Sequence, residues 1–149
     1  MGFEETRRTQ LRAIFSELIG AYGRKEFDTF AKHVDAQCVF EWPYLPIKEF
    51  PEQMVGRDAF IDMSREGMAD CDGYHHQVDT WYDQLDPDML IVEYHSDTVL
   101  QSSGAHYSNK YLGILRFEGN QVVFWKEYVN PMIIAEAFGF EFENKALNG

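Results

Sequence analysis

Apolar residues near the start of the chain recur at intervals of three and four positions, the spacing that places side chains on one face of an α-helix. Between residues 6 and 23 these positions are Leu11, Ile14, Phe15, Leu18, Ile19 and Tyr22, and Gly23 ends the run. A shorter run from Phe27 to Val34 and a third run over residues 57–70 have the same spacing. The pattern therefore predicts three helices in the first half of the chain.

One strand is predicted between the second and third helices. The segment CVFEWPY (residues 38–44) is rich in β-branched and aromatic residues, and Pro43 and Pro46 stop it. The following segment, PIKEFPEQMVG (residues 46–56), is bounded by prolines and predicts a loop.

From Gly73 the pattern changes to that of β-strands. The segments HHQVDTWYDQL, MLIVEYHSDTVL, AHYSNKYLGILRF and QVVFWKEYV are separated by short runs of turn residues, which predict an antiparallel meander. Asn130 and Pro131 then begin a last helix that ends at Gly139. This order predicts an α+β protein whose N-terminal helices pack on the concave face of a curved, mainly antiparallel sheet.

Composition, net charge and cysteine spacing restrict the classes of function expected for this protein. The 149 residues, 45% of them hydrophobic, suit one domain over residues 1–149. A net charge of -12 opposes binding to nucleic acid or anionic lipid, and no apolar run suits a signal region or a membrane span. Cys38 and Cys71 lack metal-type spacing, so we expect reduced packing thiols and a cytoplasmic protein.

The segment FWKEYVNP (residues 124–131) carries the most informative charge. Glu127 lies in an aromatic strand that runs directly into a proline. Because strand residues alternate between two faces, this carboxylate either points to water or faces a pocket and transfers protons.

Several strings resemble one known superfamily. GRDAF, DPDMLIVE, NKYLGILRFEGNQVV and KEYVNP, in this order, resemble the nuclear transport factor two-like cone fold, in particular its SnoaL-like branch and the phenazine-biosynthesis A/B proteins. The resemblance spans Thr6 to Gly139 and implies a cone-shaped α+β barrel with an internal cavity. This fold supports enzymes and binding modules alike, so function must be argued from the site.

The resemblance also indicates which chemistry is absent. At the positions of the three ketosteroid isomerase groups stand Leu18, Trp42 and Gly113, so that mechanism is not expected here. The phenazine-type glutamate before the motif ending in Asn-Pro matches Glu127, whereas the family histidine on the helix is replaced by Met63.

The resemblance further implies that odd-numbered residues on three strands face the cavity. The expected catalytic residues are Glu127 and His95. The expected ligand-binding residues are Tyr22, Phe40, Trp42, Met63, Glu93, Asp97, Tyr111 and Trp125. If this parity were reversed, Glu93, His95 and Asp97 would be ordinary surface residues. These three side chains rise by roughly 6–7 Å from one to the next, too far to share one ion, so we expect no metal.

A carboxylate in apolar surroundings has a raised pKa, and a nearby histidine titrates close to neutrality. We therefore predict a cofactor-independent acid-base enzyme (an isomerase, cyclase, dehydratase or condensing enzyme) acting on a small aromatic or alicyclic carbonyl compound. The alternative is a non-catalytic ligand-binding or scaffold protein of the same fold.

A homodimer through the sheet is also predicted, because the apolar residues Leu90, Val92, Tyr94, Phe124 and Tyr128 are expected on the outer face.

Overall fold

The computed structural model describes residues 2–143. Within them it contains, in order, α1 (Phe3–Gly23), α2 (Phe27–Lys32), β1 (Val34–Glu41), β2 (Gln53–Val55), α3 (Arg57–Gly67), β3 (Cys71–Tyr82), β4 (Met89–Leu100), β5 (His106–Glu118), β6 (Gln121–Val129) and α4 (Pro131–Phe138). None of the helices in this part of the chain is long and apolar enough to cross a membrane.

The six strands form one sheet in the order β2-β1-β6-β5-β4-β3. Strands β3 to β6 pair antiparallel in sequence, which confirms the predicted meander. Strand β1 returns to lie parallel to β6, with Phe40 opposite Trp125. The α+β architecture is thus confirmed, although the sheet stays open between its edge strands β2 and β3 and does not close into a barrel.

The element boundaries differ from the predicted ones where pairing is non-local. Strand β2 lies inside the segment predicted as a loop and pairs with β1 through Val39 and Val55. Strand β1 begins at Val34 because this residue pairs with Val122 of β6. Val122 lies far from Val34 along the chain, and β2 is only three residues long within a proline-bounded segment, so local spacing indicates neither pairing.

The prediction that odd-numbered residues face the cavity is confirmed on β5 but wrong on β4. Even-numbered residues of β4 pair with odd-numbered residues of β5, as in Tyr94 with Tyr111, so the buried face of β4 is the even-numbered one. Leu90, Val92 and Tyr94 are therefore interior, and their predicted place on the outer face is wrong. A change of register by one residue moves every side chain of a strand to the other face.

This reversal weakens the predicted dimer surface. The outer face of β4 is half polar, with Glu93 and Asp97 exposed, and the predicted apolar residues that remain outside are Phe124 and Tyr128 of β6, both half-buried. Association through the sheet stays a prediction that now rests on these two residues.

Helix α1 fills the concave side of the sheet. Leu11, Phe15 and Leu18 on its inner face have no exposed surface. The Phe15 ring makes edge contacts with the rings of Tyr94 and Trp125, at centroid distances of 5.2 and 5.9 Å. Burial of this apolar face is what holds the helix against β4 and β6.

At its C-terminal end, α1 touches the backbone of β3. A Cβ atom placed on Gly23 would lie 2.0 Å from the carbonyl oxygen of Tyr74 and 2.8 Å from Nδ1 of His76. Only glycine permits this approach, because a distance of 2.0 Å to a backbone atom cannot be relieved by a side-chain rotation. Gly23 therefore sets how closely α1 packs on β3.

We expect Gly23→Ala to lower the free energy of unfolding by about 2–3 kcal/mol, because the new methyl group forces α1 away from β3. The matched control is Gly20→Ala in the same helix, where the nearest atom is the mobile end of the Arg24 side chain at 3.0 Å. The control should be neutral or stabilising by up to about 1 kcal/mol. Urea denaturation measures both changes, and equal effects would contradict the close-packing interpretation.

Candidate functional site

The concave side of the sheet encloses a cavity of about 120 Å³, here called the inner chamber. Predicted ligand-binding residues that line it are Tyr22, Phe40, Trp42, Met63, Tyr111 and Trp125, together with the predicted acid Glu127. Residues that the sequence reasoning did not propose for the wall include Ile19, Leu45, Phe60, Tyr74, His76 and Tyr107. The wall is thus largely aromatic, with one carboxyl group and one imidazole.

A second cavity of about 340 Å³, the outer chamber, adjoins the first. Both are lined by Tyr22, Phe50, Met63, Tyr74, Tyr107 and Ile134. The rest of the outer wall includes Met68, Phe138 and Phe140, with Glu49 and Glu66 exposed at its edge. The two chambers are therefore neighbours that share part of their walls, and the inner one is the more aromatic.

Three predicted site residues do not reach this space. On the outer face of β4, Glu93 accepts a hydrogen bond from the Tyr82 hydroxyl at 2.9 Å, and Asp97 accepts one from Ser108 at 2.7 Å. Nδ1 of His95 lies 2.7 Å from the Asp79 carboxylate. The prediction that Glu93, His95 and Asp97 face the cavity is wrong, for the register reason given above.

Glu127 is held in the inner chamber by its neighbours on two strands. It lies opposite Gly113 of β5, and the Tyr94 hydroxyl of β4 donates a hydrogen bond to its Oε2. Gly113 makes this contact possible, because a Cβ atom there would lie 3.1 Å from Cε1 of Tyr94. The missing side chain lets Tyr94 reach across β5 to the carboxylate.

Burial sets the charge state of the Glu127 carboxyl. Removal from water raises its pKa from 4.5 to about 7, although hydrogen bonds from Tyr94 and Trp42 act in the opposite direction. Glu127 is consequently both protonated and ionised in comparable amounts near neutral pH.

Tyr94 itself stays protonated. Burial, and next the negative charge of Glu127, raise the pKa of its hydroxyl well above 10. The ring stacks on Tyr111 with 5.1 Å between centroids, which fixes its orientation. Tyr94 is therefore a permanent hydrogen-bond donor to Glu127.

Several chamber hydroxyls bond to one another around Tyr111. Its oxygen lies 2.7 Å from Oγ of Ser96, 3.2 Å from the Tyr74 hydroxyl and 3.4 Å from that of Tyr107. The amide of Asn109 donates to the Tyr107 hydroxyl at 3.0 Å. Burial raises the pKa of all three tyrosines, so this wall is uncharged and rigid.

His76 is an ionisable site residue that was not predicted from the sequence. Its ring lies between Tyr22 and Tyr74, at centroid distances of 5.7 and 4.4 Å, and it lines the inner chamber. Burial lowers its pKa from 6.5 to about 4, so the imidazole is neutral at pH 7. The sequence feature that could have indicated His76 is its place next to His75. Because adjacent residues on a strand face opposite sides, one of these two histidines faces the interior, and His75 is the exposed one.

Nδ1 of His76 and Nε1 of Trp125 are buried without a hydrogen-bond partner among residues 2–143. Within the same residues, no three histidine, cysteine, aspartate or glutamate side chains are grouped so as to hold a metal ion.

The fold and this geometry define a class: a cone-shaped α+β protein with a carboxyl group buried in an aromatic cavity. Residues 15–125 match the SnoaL-like domain family, and the chain belongs to that family. The resemblance inferred from GRDAF, NKYLGILRF and KEYVNP is thereby confirmed.

Several known proteins are similar to this chain. The uncharacterized protein YesE of Bacillus subtilis is 25% identical over 118 residues, 79% of this chain and 80% of that protein. An uncharacterized PhzA/B-like protein, PA3332 of Pseudomonas aeruginosa, is 34% identical over 59 residues, 40% of this chain and 42% of that one. The crystal structure of a proposed isomerase from Bacillus subtilis superposes with a TM-score of 0.80 at 22% identity, covering 91% of this chain and 97% of that one.

The raised pKa of Glu127 predicts a specific pH dependence of stability. Because the folded carboxyl holds its proton more tightly than the unfolded one, its contribution is complete below pH 4.5 and is lost as the pH rises through about 7. We expect the difference in unfolding free energy between wild type and Glu127→Gln to fall by up to about 3 kcal/mol between pH 4.5 and pH 8. Urea titrations at several pH values measure it, and a difference that does not vary with pH would contradict the assignment.

Proposed function

We propose that this chain is a cofactor-independent enzyme that moves protons on a small aromatic or alicyclic carbonyl compound bound in the inner chamber. The observation that carries the proposal is Glu127: a carboxyl group in an aromatic cavity, with a pKa of about 7. A group that titrates near the working pH both gives and takes protons efficiently. Isomerisation, dehydration, cyclisation and condensation all require such transfers.

Two donors hold the carboxyl group of Glu127 in place. Tyr94 donates a hydrogen bond to Oε2, and Trp42 also donates to the carboxyl group. In the protonated form, Glu127 donates to a carbonyl or leaving hydroxyl oxygen; in the ionised form, it removes a proton from carbon. Tyr94 orients the carboxyl group and stabilises the ionised form.

In this proposal His76, and not the predicted His95, is the histidine that contacts the ligand together with Glu127. As a neutral imidazole it accepts a hydrogen bond from a ligand hydroxyl and so orients the ligand toward Glu127. The environments of the two groups push their pKa values apart, to about 7 for Glu127 and about 4 for His76.

The similar proteins support this class of chemistry without defining a substrate. The solved relative from Bacillus subtilis is described as a proposed isomerase, and the Pseudomonas aeruginosa relative as PhzA/B-like. Both descriptions are compatible with proton transfer on small cyclic compounds.

A non-catalytic ligand-binding or scaffold protein is the second candidate. The observation that favours it is the bonding of most chamber hydroxyls to one another: Tyr22 to Ser64 at 3.2 Å, and Tyr111 to Ser96 and Tyr74. Hydroxyls that are already satisfied form a rigid wall and contribute little to chemistry. In such a non-catalytic protein, Glu127 only makes a polar contact with the ligand.

Comparison of wild type with Glu127→Gln decides between the two candidates. Aromatic and alicyclic carbonyl compounds are screened by thermal shift, and each compound that binds is assayed for turnover. We expect both proteins to bind and the variant to lose about 10²–10⁴-fold in kcat, because glutamine cannot transfer the proton.

The matched control is Glu93→Gln, which changes another carboxylate that is bonded to a tyrosine, Tyr82, but lies on the outer face of the sheet. Its turnover should equal that of wild type. Equal binding with no turnover in any of the three proteins would establish the non-catalytic candidate.

A second comparison tests which histidine belongs to the site. His76→Gln removes the imidazole from the chamber, and kcat/KM should fall about five- to tenfold through the loss of one hydrogen bond to the ligand. His95→Gln alters only the outer face and should leave kcat/KM unchanged. Thermal unfolding of both variants separates this effect from instability. A loss in His95→Gln alone would contradict the assigned register.

A further inference from the structure

The size of the inner chamber restricts what fits beside Glu127. Its volume is about 120 Å³, whereas an apolar protein cavity of roughly 150 Å³ holds one benzene molecule. The walls are stacked rings, such as Phe40 and Phe60 with 4.1 Å between centroids, and these resist expansion. The inner chamber therefore takes about one ring.

The outer chamber offers more room and shares part of its wall with the inner one. Its volume is about 340 Å³, and Tyr22, Met63 and Tyr74 line both chambers. The residues that line it alone include Met68, Phe138 and Phe140. Methionine and aromatic walls favour apolar groups of variable shape.

The charged side chains that line the two chambers are all acidic. Glu49 and Glu66 lie at the edge of the outer chamber and Glu127 in the inner one. No lysine or arginine lines either chamber within the described part of the chain. An anionic group would meet like charge there without a cation to compensate for lost hydration.

We propose that the ligand of this site is an uncharged molecule in two parts, with one oxygen-bearing ring in the inner chamber and an apolar arm in the outer chamber. This inference rests on the proposed function for the placement of the ring beside Glu127. It excludes carboxylated or phosphorylated arms from the preferred ligands.

The test uses phenol, 4-ethylphenol, 4-butylphenol and 4-hexylphenol as probes, with binding followed by NMR of protein labelled at the methionine methyl groups. We expect affinity to rise about threefold per methylene until the arm reaches the edge of the outer chamber. The methyl signals of Met63 and Met68 should shift with the longer arms. Met54, Met89 and Met132, which line neither chamber, are internal controls.

A carboxylated arm tests the charge argument. We expect 4-(4-hydroxyphenyl)butanoic acid to bind at least about tenfold more weakly than 4-butylphenol, because its carboxylate approaches Glu49 and Glu66. Glu66→Lys should recover at least threefold of that loss. The matched control Glu136→Lys changes the net charge equally at an exposed residue that lines neither chamber, and it should recover nothing.

Affinity that does not depend on arm length, equal binding of the carboxylated probe, or no binding of any probe would overturn the two-part ligand. These readouts need no turnover. If affinity rises with arm length while the screen of carbonyl compounds gives no turnover, the two-part ligand is supported and the proposed enzymatic function is contradicted.

Discussion

A hydrogen bond that crosses the middle strand of three determines the site. Glu127 on β6 lies opposite Gly113 on β5, Tyr94 on β4 lies diagonally beyond Gly113 on the same interior face, and the glycine has no side chain to separate the other two. The tyrosine hydroxyl therefore crosses the middle strand and holds the carboxyl group. The resemblance to ketosteroid isomerase assigns a protonated aspartate to the Gly113 position, and here the Tyr94 ring lies beside that position, with Cε1 3.1 Å from a Cβ atom placed on Gly113.

The electrostatics follow from this arrangement. Aromatic rings exclude water from the chamber, and the loss of hydration raises the pKa of Glu127 and lowers that of His76. The fixed hydroxyl of Tyr94 limits the rise, so the carboxyl titrates near neutrality and is not locked in its protonated form. An apolar wall alone would give a permanent acid, whereas the wall together with the tyrosine gives a group that changes charge near pH 7.

Much of this arrangement could be predicted from local sequence. The spacing of Leu11, Phe15 and Leu18 indicated α1, the turn residues between strands indicated the meander, and the aromatic neighbours of Glu127 indicated a buried carboxyl. The interior face of β4 could not be predicted, because it depends on which residues of β4 and β5 pair across the hairpin. That single unknown exchanged Tyr94 for His95 in the predicted site, and strand β2 was missed because it is only three residues long and lies in a segment that prolines mark as a loop.

The most direct test of this account is the protonation of Glu127 itself. Titration of the glutamate side-chain carboxyl signals by ¹³C NMR, with Glu127→Gln to assign the resonance, measures its pKa without any substrate. The account predicts a midpoint of about 7, and a higher midpoint in Tyr94→Phe because the hydrogen bond that lowers the pKa is lost. A midpoint near the ordinary value of 4.5, unchanged in Tyr94→Phe, would contradict the buried, tyrosine-held carboxyl on which the proposed function depends.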